Sequence, residues 1–112
     1  TGYSIAPGLV DTHIHGYAGV DVMDNNIEGT LHTMSEGLLS TGVTSFLPTT
    51  LTATYEQLLA VTENLGNHYK EATGAKIRGI YYEGPYFTET FKGAQNPTYM
   101  SFILGRMLQK GC

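Results

Sequence analysis

Three runs of β-branched and apolar residues alternate with two stretches of helical spacing, and that alternation constrains the fold more than any other feature of this chain. In residues 5–15, the apolar and β-branched positions after the Pro7-Gly8 break predict a strand of about six residues. Ile27, Leu31, Met34, Leu38 and Leu39 then recur at helical spacing, between a glycine- and aspartate-bearing loop over 16–26 and a stop at Gly42. Asn26 is the expected N-cap, with the Glu28 carboxylate in the first turn complementing the helix dipole. Residues 43–47 form the second predicted strand, closed by Pro48. Thr54 and Gln57 have the spacing of a capping box, and Tyr55, Leu58, Leu59, Thr62, Leu65 and Tyr69 are the expected buried stripe of a second helix ending before Gly74. Residues 77–82 are the third strand.

The order is therefore β-α-β-α-β. Each helix is long enough for a right-handed crossover between parallel neighbours, so the class is α/β with a parallel sheet. The segment after Glu83, up to residue 100, has no clear period and is too long for a plain connection, so it is expected to cover a site. Residues 101–112 are apolar at Phe102, Ile103, Leu104, Met107 and Leu108, and read as a separate tail that begins a further helix.

Composition narrows the partners. Ten acidic against six basic residues give a net charge of −4, so no broad basic face is available for nucleic acid or an anionic membrane. Apolar runs are far short of the roughly 20 residues that span a bilayer, and no signal-peptide pattern is present. The single Cys112 cannot form an internal disulfide, which fits a reducing, cytoplasmic setting. Only 14% of residues are charged, against a usual figure of about 25%, so the chain reads as part of a larger structure rather than as a small autonomous domain.

Chemistry concentrates at the end of the first strand. Side chains alternate across a strand, so Asp11, His13 and His15 are expected on one face, the two imidazoles roughly 7 Å apart at Cα. Neutral imidazoles bind zinc at about 2.0–2.1 Å and also suit iron, so a His-x-His at a strand end is a credible two-ligand clip. Taken alone, such a pair is more often two solvated or hydrogen-bonded histidines.

The surrounding sequence changes that balance. Pro7-Gly8-Leu9-Val10-Asp11-Thr12-His13-Ile14-His15-Gly16 closely resembles the opening strand of the amidohydrolase superfamily, metal hydrolases on a (β/α)8 barrel. Gly42-Val43-Thr44-Ser45-Phe46-Leu47-Pro48-Thr49-Thr50, Glu83-Gly84-Pro85 and Lys92-Gly93-Ala94-Gln95-Asn96-Pro97 resemble the branch that deacetylates amino-sugar phosphates. The resemblance implies that residues 1–100 are the first three βα units of an incomplete TIM-type barrel. It implies Glu83 as a carboxylate ligand beside His13 and His15, a divalent cofactor (zinc, iron or manganese), and Ala94 and Gln95 as substrate-contacting positions. It also implies a small-molecule amino-sugar phosphate as substrate, a homodimer for the full-length protein, and further histidine ligands and a general acid/base aspartate downstream. On that reading the 112-residue piece is itself inactive. Many relatives carry histidine at the position of Gln95, whose neutral amide can bond a sugar but cannot become cationic.

Other residues have simpler readings. Asp11 is either an acceptor that orients an imidazole or an ordinary hydrogen-bonded carboxylate. Asp21 and Asp24 form a turn, as Gln95-Asn96-Pro97 would without the resemblance. His32 and His68 are surface residues, Tyr81 and Tyr82 pack in a buried strand with one facing each layer, and Lys92 does nothing specific. Two further readings compete with the deacetylase: another amidohydrolase cutting a cyclic amide, and a small flavodoxin-like binding domain with incidental histidines.

Overall fold

The computed structural model describes residues 2–24, 27–86, 90 and 93–99. Its elements are β1 (Leu9–Ile14), β2 (Gly16–Tyr17), β3 (Val20–Asp21), α1 (Ile27–Leu39), β4 (Val43–Thr50), α2 (Tyr55–His68), β5 (Lys76–Ile77) and β6 (Tyr81–Tyr82), with short 3-10 turns at Tyr69–Glu71 and Pro97–Tyr99. β4 is central: β1 pairs with one edge of it, β5 and then β6 with the other, all in parallel. The sheet is open, and the described residues close no barrel.

Both helices cover one face. Leu31, Met34 and Leu38 of α1 meet Val61 and Leu65 of α2 over Val43 and Phe46 of β4. The α1 seam also contains Ser35, fully buried, whose hydroxyl and carbonyl are both used at the entry to β5. Its hydroxyl donates to Ala75 C=O at 2.9 Å and accepts Gly74 N–H at 2.8 Å, and its own carbonyl accepts Ala75 N–H at 3.0 Å. A buried polar side chain is tolerated when paired in this way.

Helix α2 begins as expected. Thr54 Oγ1 accepts Gln57 N–H at 3.2 Å while Gln57 Oε1 accepts Thr54 N–H at 3.0 Å, a complete capping box. Its buried seam is a correction. Val61 and Leu65 are buried, with Leu58 and Thr62 beside them, whereas Tyr55, Leu59 and Tyr69 are each about half exposed. Leu39 of α1 likewise faces outward. The seam is narrower than the apolar content suggests, because α2 meets the sheet and α1 along a single i, i+3, i+4 row.

Two further corrections concern strands. Residues 16–26 contain a hairpin, β2–β3, turned by Ala18 and Gly19 with φ of 56° and 81°. Positive φ at both central positions matches the right-handed twist of the flanking strands. Gly16 is required there, since a Cβ on it would stand 2.3 Å from Val20 C=O. β4 also runs through Pro48 rather than stopping at it. Pro48 pairs with Ile14 beside a register irregularity in β1, the kind of place where a missing N–H is tolerated within a sheet. Asn26, Lys92 and the 101–112 tail lie outside the described residues.

Candidate metal centre

The histidine pair stands where β1 loses step with β4. Asp11 pairs with Phe46 and Ile14 with Pro48, three residues of advance in β1 against two in β4, so β1 carries one extra residue there. Ile14 packs against the helix-side core, which turns His13 and His15 to the opposite face as strand alternation predicts. Asp11 does not follow. The extra residue puts it out of step, and its Oδ1 accepts His13 N–H at 3.0 Å instead of orienting an imidazole. The irregularity also leaves Ile14 N–H to a side chain: Thr49 Oγ1 accepts it at 3.0 Å and donates to Leu47 C=O at 3.1 Å.

Glu83 reaches the same face through a second irregularity. β5 aligns Ser45 with Lys76 and Phe46 with Ile77; β6 aligns Thr49 with Tyr81 and Thr50 with Tyr82. The offset from β4 rises from 31 to 32 (77 − 46 against 81 − 49), so one residue is added between Ile77 and Tyr81. The third strand is therefore two short pieces, not one ladder over 77–82. Ile77 and Ile80 both pack on the helix-side core although they are three apart, and Tyr82 Oη meets Thr62 Oγ1 of α2 at 2.7 Å. Tyr81 and Glu83 accordingly face the histidines. Were residues 77–83 one unbroken strand, strict alternation from Ile77 would send Glu83 into the helix layer.

Three atoms converge. His13 Nε2 is 3.0 Å and His15 Nε2 2.8 Å from Glu83 Oε2, and the two Nε2 atoms are 3.2 Å apart. Ligand atoms sharing an ion at bond lengths of about 2.0–2.1 Å stand about 2.9–3.4 Å apart in octahedral to tetrahedral arrangements, so these separations fit a common divalent cation. The tautomers fit as well. His15 Nδ1 lies 3.2 Å from Thr49 C=O, which can only accept; with that proton on Nδ1, a neutral His15 presents a bare lone pair to Glu83 Oε2. Two acceptors at 2.8 Å repel unless a proton or a cation is shared between them. The side chains keep 45%, 34% and 26% of their surface for His13, His15 and Glu83, so the group is open to solvent. Among the described residues, these three form the one cluster able to hold a metal ion.

The remaining candidates are placed as follows. Asp21 Oδ1 accepts Met23 N–H and Asp24 Oδ2 accepts Asp21 N–H, both at 2.8 Å, so these carboxylates form the turn expected of them. His68 pairs with Glu71 at 2.9 Å, and His32 lies 3.4 Å from Thr73 Oγ1; both are remote from the cluster. Tyr81 and Tyr82 face the two layers as expected, but each is about half exposed rather than packed in a core, since the sheet is open. Ala94 is exposed, whereas Gln95 is buried and its Oε1 accepts Thr52 N–H at 2.8 Å. That bond ties the segment after Glu83 to the C-terminal end of β4. Asn96 Oδ1 accepts Thr98 N–H at 3.0 Å and opens the 3-10 turn. A cleft of about 260 Å³ between Leu65, Tyr69 and Ile80 lies on the helix side of β5 and does not reach the cluster. Thr49 is the participant that sequence reasoning missed: nothing distinguishes it within the threonine-rich run except its position opposite the histidines.

Comparison with known proteins places this geometry in context. Residues 4–107 match the Amidohydrolase family. The chain is 44% identical over 95 residues to an N-acetylglucosamine-6-phosphate deacetylase of Vibrio furnissii, covering 84% of this chain and 23% of that protein. It is 40% identical over 94 residues to an N-acetylgalactosamine-6-phosphate deacetylase of Escherichia coli O157:H7, covering 83% and 25% respectively. Among solved structures it is similar to the N-acetylglucosamine-6-phosphate deacetylase of Thermotoga maritima, with a TM-score of 0.76 and 33% identity over 92% of this chain and 27% of that one. The chain thus spans about a quarter of the length of the relatives it matches.

Proposed function

This chain belongs to the amidohydrolase family, and from that premise we propose that it is the amino-terminal part of a metal-dependent deacetylase acting on an N-acetylated amino-sugar 6-phosphate. The observation that carries the reading is the convergence of His13 Nε2, His15 Nε2 and Glu83 Oε2 within 3.2 Å of one another on the open face of the sheet. His13, His15 and Glu83 hold the cation: two imidazoles and one carboxylate suit zinc, iron or manganese. When bound, such an ion would lower the pKa of a coordinated water toward about 7 and polarise an amide carbonyl, the chemistry that converts an acetamide to amine and acetate.

The chain's own residues supply orientation. Thr49 C=O fixes the His15 tautomer so that Nε2 faces the site. Gln95 ties its segment to Thr52, which supports a substrate-facing position for Ala94 and for the Gln95 backbone at the rim of the sheet. N-acetylglucosamine-6-phosphate is the favoured substrate and its galacto epimer the next, since relatives named for each are similar to this chain. The reading also makes the protein a cytoplasmic homodimer; among the described residues no helix is long and apolar enough to cross a membrane. The test is expression of the complete reading frame, metal analysis, and release of acetate from both epimers, with size-exclusion chromatography for the dimer. Acetate release from N-acetylglucosamine-6-phosphate, abolished by His13→Ala, is expected. A protein that holds metal but cleaves neither sugar overturns the substrate; one that holds no metal overturns the site.

A further inference from the structure

His13 and His15 are gripped in different ways. His15 is fixed at its second nitrogen by Thr49 C=O, 3.2 Å from Nδ1. Among the described residues, His13 Nδ1 has no such partner. What His13 has is a ring: the Tyr81 phenol lies with its centroid 5.0 Å from the imidazole centroid and its plane tilted by 34°. The His15 ring stands nearly perpendicular to it, at 5.0 Å and 77°. The His13 imidazole thus touches two rings, and its Nε2 meets Glu83 Oε2 at 3.0 Å with no hydrogen bond at Nδ1 among the described residues.

The placement of Tyr81 follows from the same register step that presents Glu83. Tyr81 pairs with Thr49 across β4, so neighbouring residues on the two strands serve the two imidazoles, Thr49 by its carbonyl and Tyr81 by its face. We propose that Tyr81 is a positioning residue for the metal centre: its aromatic face fixes the rotamer of His13 in place of the hydrogen bond that ligating histidines ordinarily make. Offset ring contacts at centroid distances of 4.5–7 Å are attractive beyond simple burial, and the ring narrows the arc through which the imidazole can swing. The inference rests on the metal-site reading above.

The experiment uses the protein expressed from its complete reading frame, stripped of metal and titrated with Zn²⁺ against a chromophoric chelator, and separately loaded with Co²⁺ for its visible absorption bands. Tyr81→Phe keeps the face and removes only the hydroxyl, so affinity within about twofold of native is expected. Tyr81→Leu keeps apolar bulk without a ring, and loss of an outer-shell partner predicts affinity about tenfold weaker together with altered cobalt bands. Thermal melting checks that Tyr81→Leu is folded; should it not be, Tyr81→Met serves in its place. Native affinity and native cobalt bands in the ringless variant overturn the proposal, as does a Tyr81→Phe protein as weak as the ringless one. If the unsubstituted protein binds no metal, the site reading falls and takes this inference with it. Metal binding that is native-like in every Tyr81 variant yet abolished by His13→Ala removes this inference alone.

Discussion

Replacing Thr49 by valine keeps the side-chain volume and removes one oxygen. In the sheet that oxygen accepts Ile14 N–H at 3.0 Å and donates to Leu47 C=O at 3.1 Å, from a residue with no solvent exposure. The serious loss is on Ile14, whose N–H would then face a methyl group. An unsatisfied buried donor costs about 1–3 kcal/mol; Ile14 is only part-buried, so water recovers some of this and about 1–2 kcal/mol is expected. That corresponds to roughly 5- to 30-fold more frequent local opening at the end of β1. Hydrogen-exchange mass spectrometry on peptides covering residues 13–15 reads this directly, with exchange in α2 as the internal reference. Thr49→Ser is the control: it retains the hydroxyl and loses one methyl, about 0.8 kcal/mol of burial, so it lowers overall stability while leaving Ile14 exchange near native. Native-like exchange at Ile14 in Thr49→Val, or faster exchange in Thr49→Ser than in Thr49→Val, would refute the reasoning.

Glu83→Gln keeps the shape of the third ligand but removes its charge, so elemental analysis of the purified protein should find bound metal sharply reduced; native metal content would show that Glu83 is not a ligand. Gly16→Ala sets a Cβ 2.3 Å from Val20 C=O, a clash between two backbones that only opening of the hairpin relieves, at about 1–3 kcal/mol in urea titration. An unchanged midpoint would contradict the hairpin geometry. Ala18 holds a left-handed φ of 56°, so Ala18→Gly should raise stability by up to about 1 kcal/mol despite the greater freedom of glycine in the unfolded chain. A lower melting temperature in that variant would count against the turn assignment.

The parts of the structure legible in the sequence are those governed by unbroken periodicity or by local bonding. The alternation of strands and helices, the Thr54–Gln57 capping box and the common face of His13 and His15 all depend on a few neighbouring residues. What escaped is long-range. Asp11 looked like a member of the ligand face because alternation was carried across a point where β1 slips by one residue against β4. Residues 77–82 looked like one strand for the same reason, although Gly79 inside the run is the signal that marks a bulge or a close approach, and a Cβ there would meet Leu47 at 3.3 Å. Tyr55, Leu59 and Tyr69 were expected inside α2's seam because their apolar area was weighed without knowing which row of the helix meets the sheet. The β2–β3 hairpin has strands of two residues, too short for any period to show. The role of Glu83 came from family resemblance, and the physical reason for its placement became visible only with the register.

The single-residue offset between Ile77 and Tyr81 makes this centre depend on counting as much as on chemistry. Inserting one residue into 78–80 leaves every donor in the chain intact, yet rotates everything after it by half a turn and presents Tyr82 where the carboxylate belongs. Drift within this stretch is therefore expected to proceed by substitution, with lone insertions weeded out. Designers transplanting the clip to another scaffold must carry over the spacing of 77–83 along with its side chains.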